Sequence, residues 1–196
     1  MSILLVNVGN TNTTLAGWDG RRLSVLVRKP GGFSRRDLPS CLTRLCRAGE
    51  YSDAVLCSVV PHATLCWRRA LRRRFRREPL VVGPRLRLGF RFDYRRQATV
   101  GADRLADVCA VATGQGGPAV VVDTGTATTF NVLTADGRFV GGAIAPGVAA
   151  FADYLVTRTA LLPRINPLRG RSPRIGRSTK GALRLGIEVG YRGILP

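Results

Sequence analysis

Short apolar runs alternating with glycine- and asparagine-rich turns set the rhythm of this chain. Ile3 to Val6 reads as a buried strand that leads into Asn7-Val8-Gly9-Asn10-Thr11-Asn12-Thr13-Thr14, after which Leu15 to Trp18 continues as a second strand. Asp19-Gly20 forms a tight hairpin turn and Leu23 to Val27 returns, so the chain opens as a β-meander. Pro30-Gly31-Gly32 breaks it. Arg36 to Ala48 suits a short helix with Leu38, Leu42 and Leu45 at helical spacing, and Asp53 to Val60 is a buried strand stopped by Pro61. Ala63 to Phe75 follows as a helix, with Leu65, Leu71 and Phe75 expected to face inward and arginines wrapping the rest.

The same design then returns. Val120, Val121 and Val122 read as a fully buried strand that delivers Asp123 to a turn at Gly125, with hydroxyls from Thr126, Thr128 and Thr129 close behind. A glycine at such a turn lets backbone N–H groups approach an anion, which outlines a phosphate site. Asn7 aligns with Asp123. Two strand-turn-strand units of one type predict duplicated α/β domains with a nucleotide between them. Gly114 to Pro118 serves as the hinge, giving domains at 1–115 and 116–196.

Between the loops, Leu80 to Val82 is a short strand, Leu86 to Tyr94 alternates only in part, and Arg95 to Thr99 is a polar linker. Val100-Gly101-Ala102-Asp103-Arg104 opens a helix to about Ala112, which places Asp103 and Arg104 in a first turn beside free backbone N–H groups. Beyond the second loop, Phe139 to Ala145 is a strand, Pro146-Gly147 releases a helix through Val156, and Pro163 to Pro173 is a loop. Ser178 or Thr179 caps a last helix to about Ile194.

Composition narrows the classes. A chain of 196 residues with 45% hydrophobic residues is globular. No apolar run approaches the ~18 to 20 residues that cross a bilayer, and Ser2 to Val6 is too short and uncharged for a signal peptide, so the reading is cytoplasmic with no membrane partner. Five cysteines, Cys41, Cys46, Cys57, Cys66 and Cys109, lack CxxC spacing and look like reduced packing residues; His62 is the only histidine, which argues against zinc. The net charge of +19 is almost wholly arginine, with Lys29 and Lys180 the only lysines. A basic surface for nucleic acid would produce it, and so would a genome rich in arginine codons; the near absence of lysine favours the second, because phosphate accepts either residue. Non-specific polyanion binding at low salt is expected in both cases.

Taken together, VGNTNT at Val8 to Thr13, SVVP at Ser58 to Pro61, VGADR at Val100 to Arg104, DTGTATTF at Asp123 to Phe130, GGAIAPG at Gly141 to Gly147 and Ser178-Thr179 resemble the type III pantothenate kinases. These bacterial enzymes phosphorylate pantothenate at the first step of coenzyme A synthesis. The resemblance implies an α/β chain of the actin, hexokinase and Hsp70-like superfamily, with two ribonuclease-H-like domains. It assigns ATP binding to Asn7, Val8, Gly9, Asn10, Thr11, Asn12, Thr13, Thr14 and Thr126, and substrate binding to Tyr94, Gly101, Ala102, Asp103, Arg104 and Thr179. Asp103 matches the general base, and Asp123 the position that holds a monovalent cation, potassium or ammonium. Magnesium accompanies ATP, and a homodimer is implied because family sites are completed across a subunit interface.

Two departures stand out. Asn7 replaces the first-loop aspartate that helps hold hydrated magnesium, which predicts weaker metal–ATP binding or a slower reaction, since magnesium prefers anionic oxygen. Family members also continue for roughly a further quarter of their length, so the second domain is expected to be incomplete at its C-terminal side, with an exposed sheet edge. The alternative to a kinase is a catalytically impaired homologue that binds nucleic acid or regulates through its basic surface.

Overall fold

The computed structural model describes residues 2–47 and 49–195. The chain divides into two compact units, Met1–Ala119 with Leu133–Val140, and Val120–Val132 with Gly141–Pro196.

In the first unit, β1 (Ile3–Val8), β2 (Asn12–Trp18) and β3 (Leu23–Pro30) form the expected antiparallel meander, and β4 (Asp53–Ser58) and β5 (Leu80–Val81) join the other side of β1 in parallel. The sheet order is β3-β2-β1-β4-β5. Strand β1 is central because its even positions are apolar: Leu4, Val6 and Val8 are buried beside Leu15 and Leu56. Helices α1 (Leu38–Leu45) and α2 (Pro61–Phe75) close this core with Leu38, Leu42, Trp67 and Leu71.

Both helices correct the sequence reading in detail. Helix α1 is shorter than 36–48, because Pro39 sits in its first turn and the chain is extended at Cys46; Ala48 lies outside the described residues. In α2 the row Ala63, Trp67, Leu71 and Phe75, four residues apart, packs on the core, so Leu71 and Phe75 face inward as expected while Leu65 turns to the far side, where it is 57% exposed.

The first unit continues through β6 (Arg91–Phe92), a short 3-10 turn at Gln97–Thr99, and α3 (Ala102–Gly114). Helix α3 sits over a second core of Leu88, Val100, Leu105, Val108, Leu133 and Phe139. Leu133 and Phe139 are the reason 133–140 group with the first unit, whereas a simple split at 115/116 assigns them to the second domain.

The second sheet has the order β6-β9-β8-β7, with β7 (Ala119–Thr124), β8 (Ala127–Leu133) and β9 (Arg138–Pro146). Strand β7 lies at its edge, and this corrects the expectation of a fully buried valine run: Val120 is 57% and Val122 39% exposed, because an edge strand with thin cover on its faces cannot hide them. Helix α4 (Val148–Arg158) follows Gly147, and α5 (Thr179–Arg192) starts at Ser178, whose Oγ accepts the Gly181 N–H at 3.1 Å. A three-stranded antiparallel meander continued by parallel strands is the ribonuclease-H-like arrangement, and the β7–β8 turn repeats its opening in the second sheet.

Candidate active site

Within the first unit, the parallel register of β1 and β4 sets Asn7 beside Cys57 and Val8 beside Ser58. Asn7 is exposed while Val6 and Val8 are buried, so alternation along β1 turns the amide out of the core. The turn closes with the Gly9 N–H donating to the Asn12 carbonyl at 2.9 Å. Asn10 and Thr11 at its tip are exposed, and Asn12 and Thr14 are half-buried on β2. Thr13 is 1% exposed with its Oγ1 buried and unbonded, so only its backbone faces the loop. That narrows its expected role, since a hydroxyl directed inward is no ligand for a phosphate.

Helix α3 packs against β4. Its first turn carries Asp103, half-buried, whose Oδ1 accepts the Arg104 N–H at 2.8 Å. Gly101 precedes it for a steric reason: a Cβ at 101 would collide with Asp103 Oδ1. Burial, then the charges of Asp103 and Asp107, push the Cys57 thiol up to about 12. The packing of α3 on β4 thus sets the α3 carboxylates close to the strand end beside Asn7. Neither Cys57 nor Asp107 stood out in the sequence, although Asp107 lies one turn beyond Asp103 on the same helix face.

Arg104 is 7% exposed, and its guanidinium lies 5.5 Å from the centre of the Phe139 ring. Tyr94 stacks on that same ring at 5.7 Å with an interplanar angle of 5°. Two residues matched to substrate binding thus share one aromatic platform. In the sequence Phe139 reads only as the start of a strand; the signal that could have singled it out is a bulky aromatic two residues before the Gly141-Gly142 pair.

The second unit builds its own loop. Asp123 and Thr126 are exposed around the turn in which the Gly125 N–H donates to the Ala127 carbonyl at 2.9 Å. Gly147 closes on this turn, its N–H donating to the Thr126 carbonyl at 3.1 Å, and a Cβ on it would collide with the Gly125 carbonyl oxygen. Since Gly147 caps α4, that helix N-terminus abuts the loop, a favourable place for negative charge. Thr128 bonds the Tyr191 hydroxyl at 2.9 Å and is fully buried, so it secures α5 and leaves ligand contact to Thr126. Thr179 is exposed at the first position of α5, on the rim of an apolar cavity of about 320 Å³ that Phe151, Leu155 and Ile187 help to line. Among the described residues no three His, Cys, Asp or Glu side chains cluster as a metal site. Asp123 is thus a single exposed carboxylate at this turn.

Each unit thus carries one glycine-containing turn, and the first adds a carboxylate in a helical first turn with a buried arginine beside it. The family model for type III pantothenate kinase matches residues 3–195, and the chain belongs to that family. It is 39% identical over 199 residues to a type III pantothenate kinase of Acidiphilium cryptum, an alignment covering 98% of this chain and 74% of that protein. The Dehalococcoides mccartyi enzyme is 32% identical over 200 residues, covering 98% and 76%. Among solved structures, a Campylobacter jejuni protein assigned to the Baf family of transcriptional activators superposes with a TM-score of 0.57 at 21% identity, covering 98% of this chain and 77% of that one; this likeness concerns the fold alone. The family match lends no support to a nucleic-acid-binding role.

Proposed function

We propose that this chain transfers the γ-phosphoryl group of ATP to the primary hydroxyl of pantothenate, giving 4′-phosphopantothenate, the first step of coenzyme A synthesis. The observation that carries this reading is the packing of α3 on β4 in one unit, which brings Asp103 near the strand end flanked by Asn7 while Arg104 rests on the Phe139–Tyr94 platform. Phosphoryl transfer asks mainly for alignment and charge neutralisation. The alcohol oxygen bonds to the γ-phosphorus as the bond to the bridging oxygen of ADP breaks, and Asp103 takes the hydroxyl proton. Arg104, already desolvated, holds the pantothenate carboxylate through charge-assisted hydrogen bonds, with Tyr94 and Thr179 completing the substrate contacts.

The turn from Asn7 to Thr14 and Thr126 contact ATP phosphates through backbone donors and the exposed side chains. Magnesium bound with ATP supplies charge neutralisation at the phosphate oxygens, and Asn7 offers it a neutral amide oxygen. Asp123 holds potassium or ammonium. A homodimer completes the reading, supported by apolar side chains left in water in the second unit, Leu161 at 92%, Ile175 at 70% and Val189 at 62% exposure. A cytoplasmic location accords with the absence, among the described residues, of any helix long and apolar enough to cross a membrane.

A coupled assay with pantothenate, ATP, magnesium and potassium tests the reading directly. The parent chain should form phosphopantothenate, and Asp103→Asn should lose about 100-fold or more in kcat. A folded parent that forms no product, or an Asp103→Asn variant of equal rate, overturns it.

A further inference from the structure

On α1 and α2 of the first unit lies a groove of about 350 Å³. Its floor is apolar, made by Leu38 and Leu42 from α1 with Cys66 and Ala70 from α2. Its rim is cationic, made by Arg35, Arg69, Arg73 and Arg74. Around α2, Arg69 and Arg73 also line a second recess of about 420 Å³, together with Arg72 and Arg76. An apolar slot thus runs directly into an arginine basin.

The arginines of this helix fall into two groups. Arg68 and Arg72 share Glu78 at 2.9 and 3.1 Å, Arg77 reaches Asp53 at 3.8 Å, and Arg74 donates to the carbonyls of Cys46 and Arg47 at 2.7 and 3.1 Å. Among the described residues, Arg35, Arg69, Arg73 and Arg76 have no carboxylate partner. Arg69 and Arg73 stand one turn apart on one face, where like charges repel unless an anion lies between them. Arg76 is the one non-glycine described residue with positive φ, at 58°, in the left-handed conformation that glycine takes at a helix end without steric cost. The chain tolerates strain there and gains a guanidinium in the basin.

We propose that the groove and basin bind a small amphiphilic phosphate, its alkyl or acyl body on Leu38, Leu42, Cys66 and Ala70 and its phosphate between Arg69 and Arg73. The volume is that of a small-molecule site. Neither recess is lined by an aromatic side chain on which a base could stack, so a nucleic-acid strand meets only half of what the surface offers. The apolar floor is what a purely electrostatic phosphate site would lack.

Titration calorimetry on the purified protein tests this, with octyl phosphate below its micellar concentration as probe and inorganic phosphate and octyl glucoside as the separate halves. Octyl phosphate should bind at least about tenfold more tightly than either half, and shortening its chain to butyl should cost about tenfold or more. Arg69→Gln/Arg73→Gln should weaken octyl phosphate about tenfold. Arg21→Gln/Arg22→Gln, which removes the same charge from an exposed turn, should change it by less than about twofold. Circular dichroism melts establish that both variants are folded. Equal binding of inorganic and octyl phosphate, equal losses in the two double variants, or a single-stranded oligonucleotide outcompeting octyl phosphate at Arg69 and Arg73 each overturn the proposal.

Discussion

Arg104 holds its guanidinium 5.5 Å from the centre of the Phe139 ring, and both side chains are buried, at 7% and 0% exposure. A cation desolvated on an aromatic ring is worth more to an incoming carboxylate than one in water, and its planar fork accepts that carboxylate in two parallel hydrogen bonds. Arg104→Lys keeps the charge and loses the fork. Its KM for pantothenate should rise about tenfold or more while the KM for ATP stays within about twofold, as read from initial rates with each substrate varied in turn.

Phe139→Leu removes the platform without opening a large cavity. The cost in stability should be about 1 to 2 kcal/mol, seen in urea unfolding. Because Tyr94 and Arg104 both lean on the ring, the pantothenate KM should rise as well. A variant destabilised to this extent but with an unchanged pantothenate KM would show that the platform serves packing only.

Gly101→Ala drives a methyl into the Asp103 carboxylate. The carboxylate must turn away from its hydrogen bond to the Arg104 N–H, so kcat should fall about 100-fold, towards that of Asp103→Asn, with the melting temperature little changed. Gly147→Ala meets backbone instead, the Gly125 carbonyl, which has less room to yield. It should cost about 1 to 3 kcal/mol in stability and raise the KM for ATP rather than for pantothenate.

Asn7→Asp restores a carboxylate beside Cys57 at the exposed end of β1. The magnesium concentration giving half-maximal rate should fall severalfold and kcat should rise. A magnesium titration of both proteins decides it; superimposable curves would mean that the amide already serves the metal.

Alkaline pH should expose the buried thiols. Burial, aided by the charges of Asp103 and Asp107, lifts Cys57 from an ordinary value of 9.0 to about 12, and burial lifts Cys46 to about 11. Below pH 9 both are protonated in the folded and unfolded chain alike. Above it, the unfolded chain releases protons that the folded chain retains, so stability falls with rising pH until the folded thiols ionise. Each such group costs roughly 1.4 kcal/mol per pH unit in that window. Melting curves at pH 8.5 and 10.5 should show a smaller drop for Cys57→Ala than for the parent.

The order of elements was legible in the sequence because glycine, proline and apolar runs punctuate it so sharply. The β1–β2 and β7–β8 turns, the opening of α3 and the Ser178 cap all lie where local residues dictate them. What the sequence withheld depends on neighbours far along the chain. Val120 and Val122 read as core residues because a valine run looks the same at the centre of a sheet as at its edge. Leu65 read as inward because a partial stripe of apolar residues in an arginine-rich helix does not reveal that Trp67 sets the buried face. Of the candidate site, the family motifs marked Asp103, Arg104 and the loops, whereas the platform under Arg104 depends on α3 meeting a residue more than thirty positions away, which no local pattern encodes.

Strand β7 presents a row of backbone donors and acceptors beside valines that water touches, a natural template for another molecule's strand. What opposes such pairing is colloidal: with a net charge of +19, two copies repel before their edges meet. That repulsion reaches only about 8 to 10 Å at physiological ionic strength and shrinks further as salt is added. The arginine charge of the chain as a whole thus acts as a solubility reserve for the sheet, and concentrated salt would draw that reserve down.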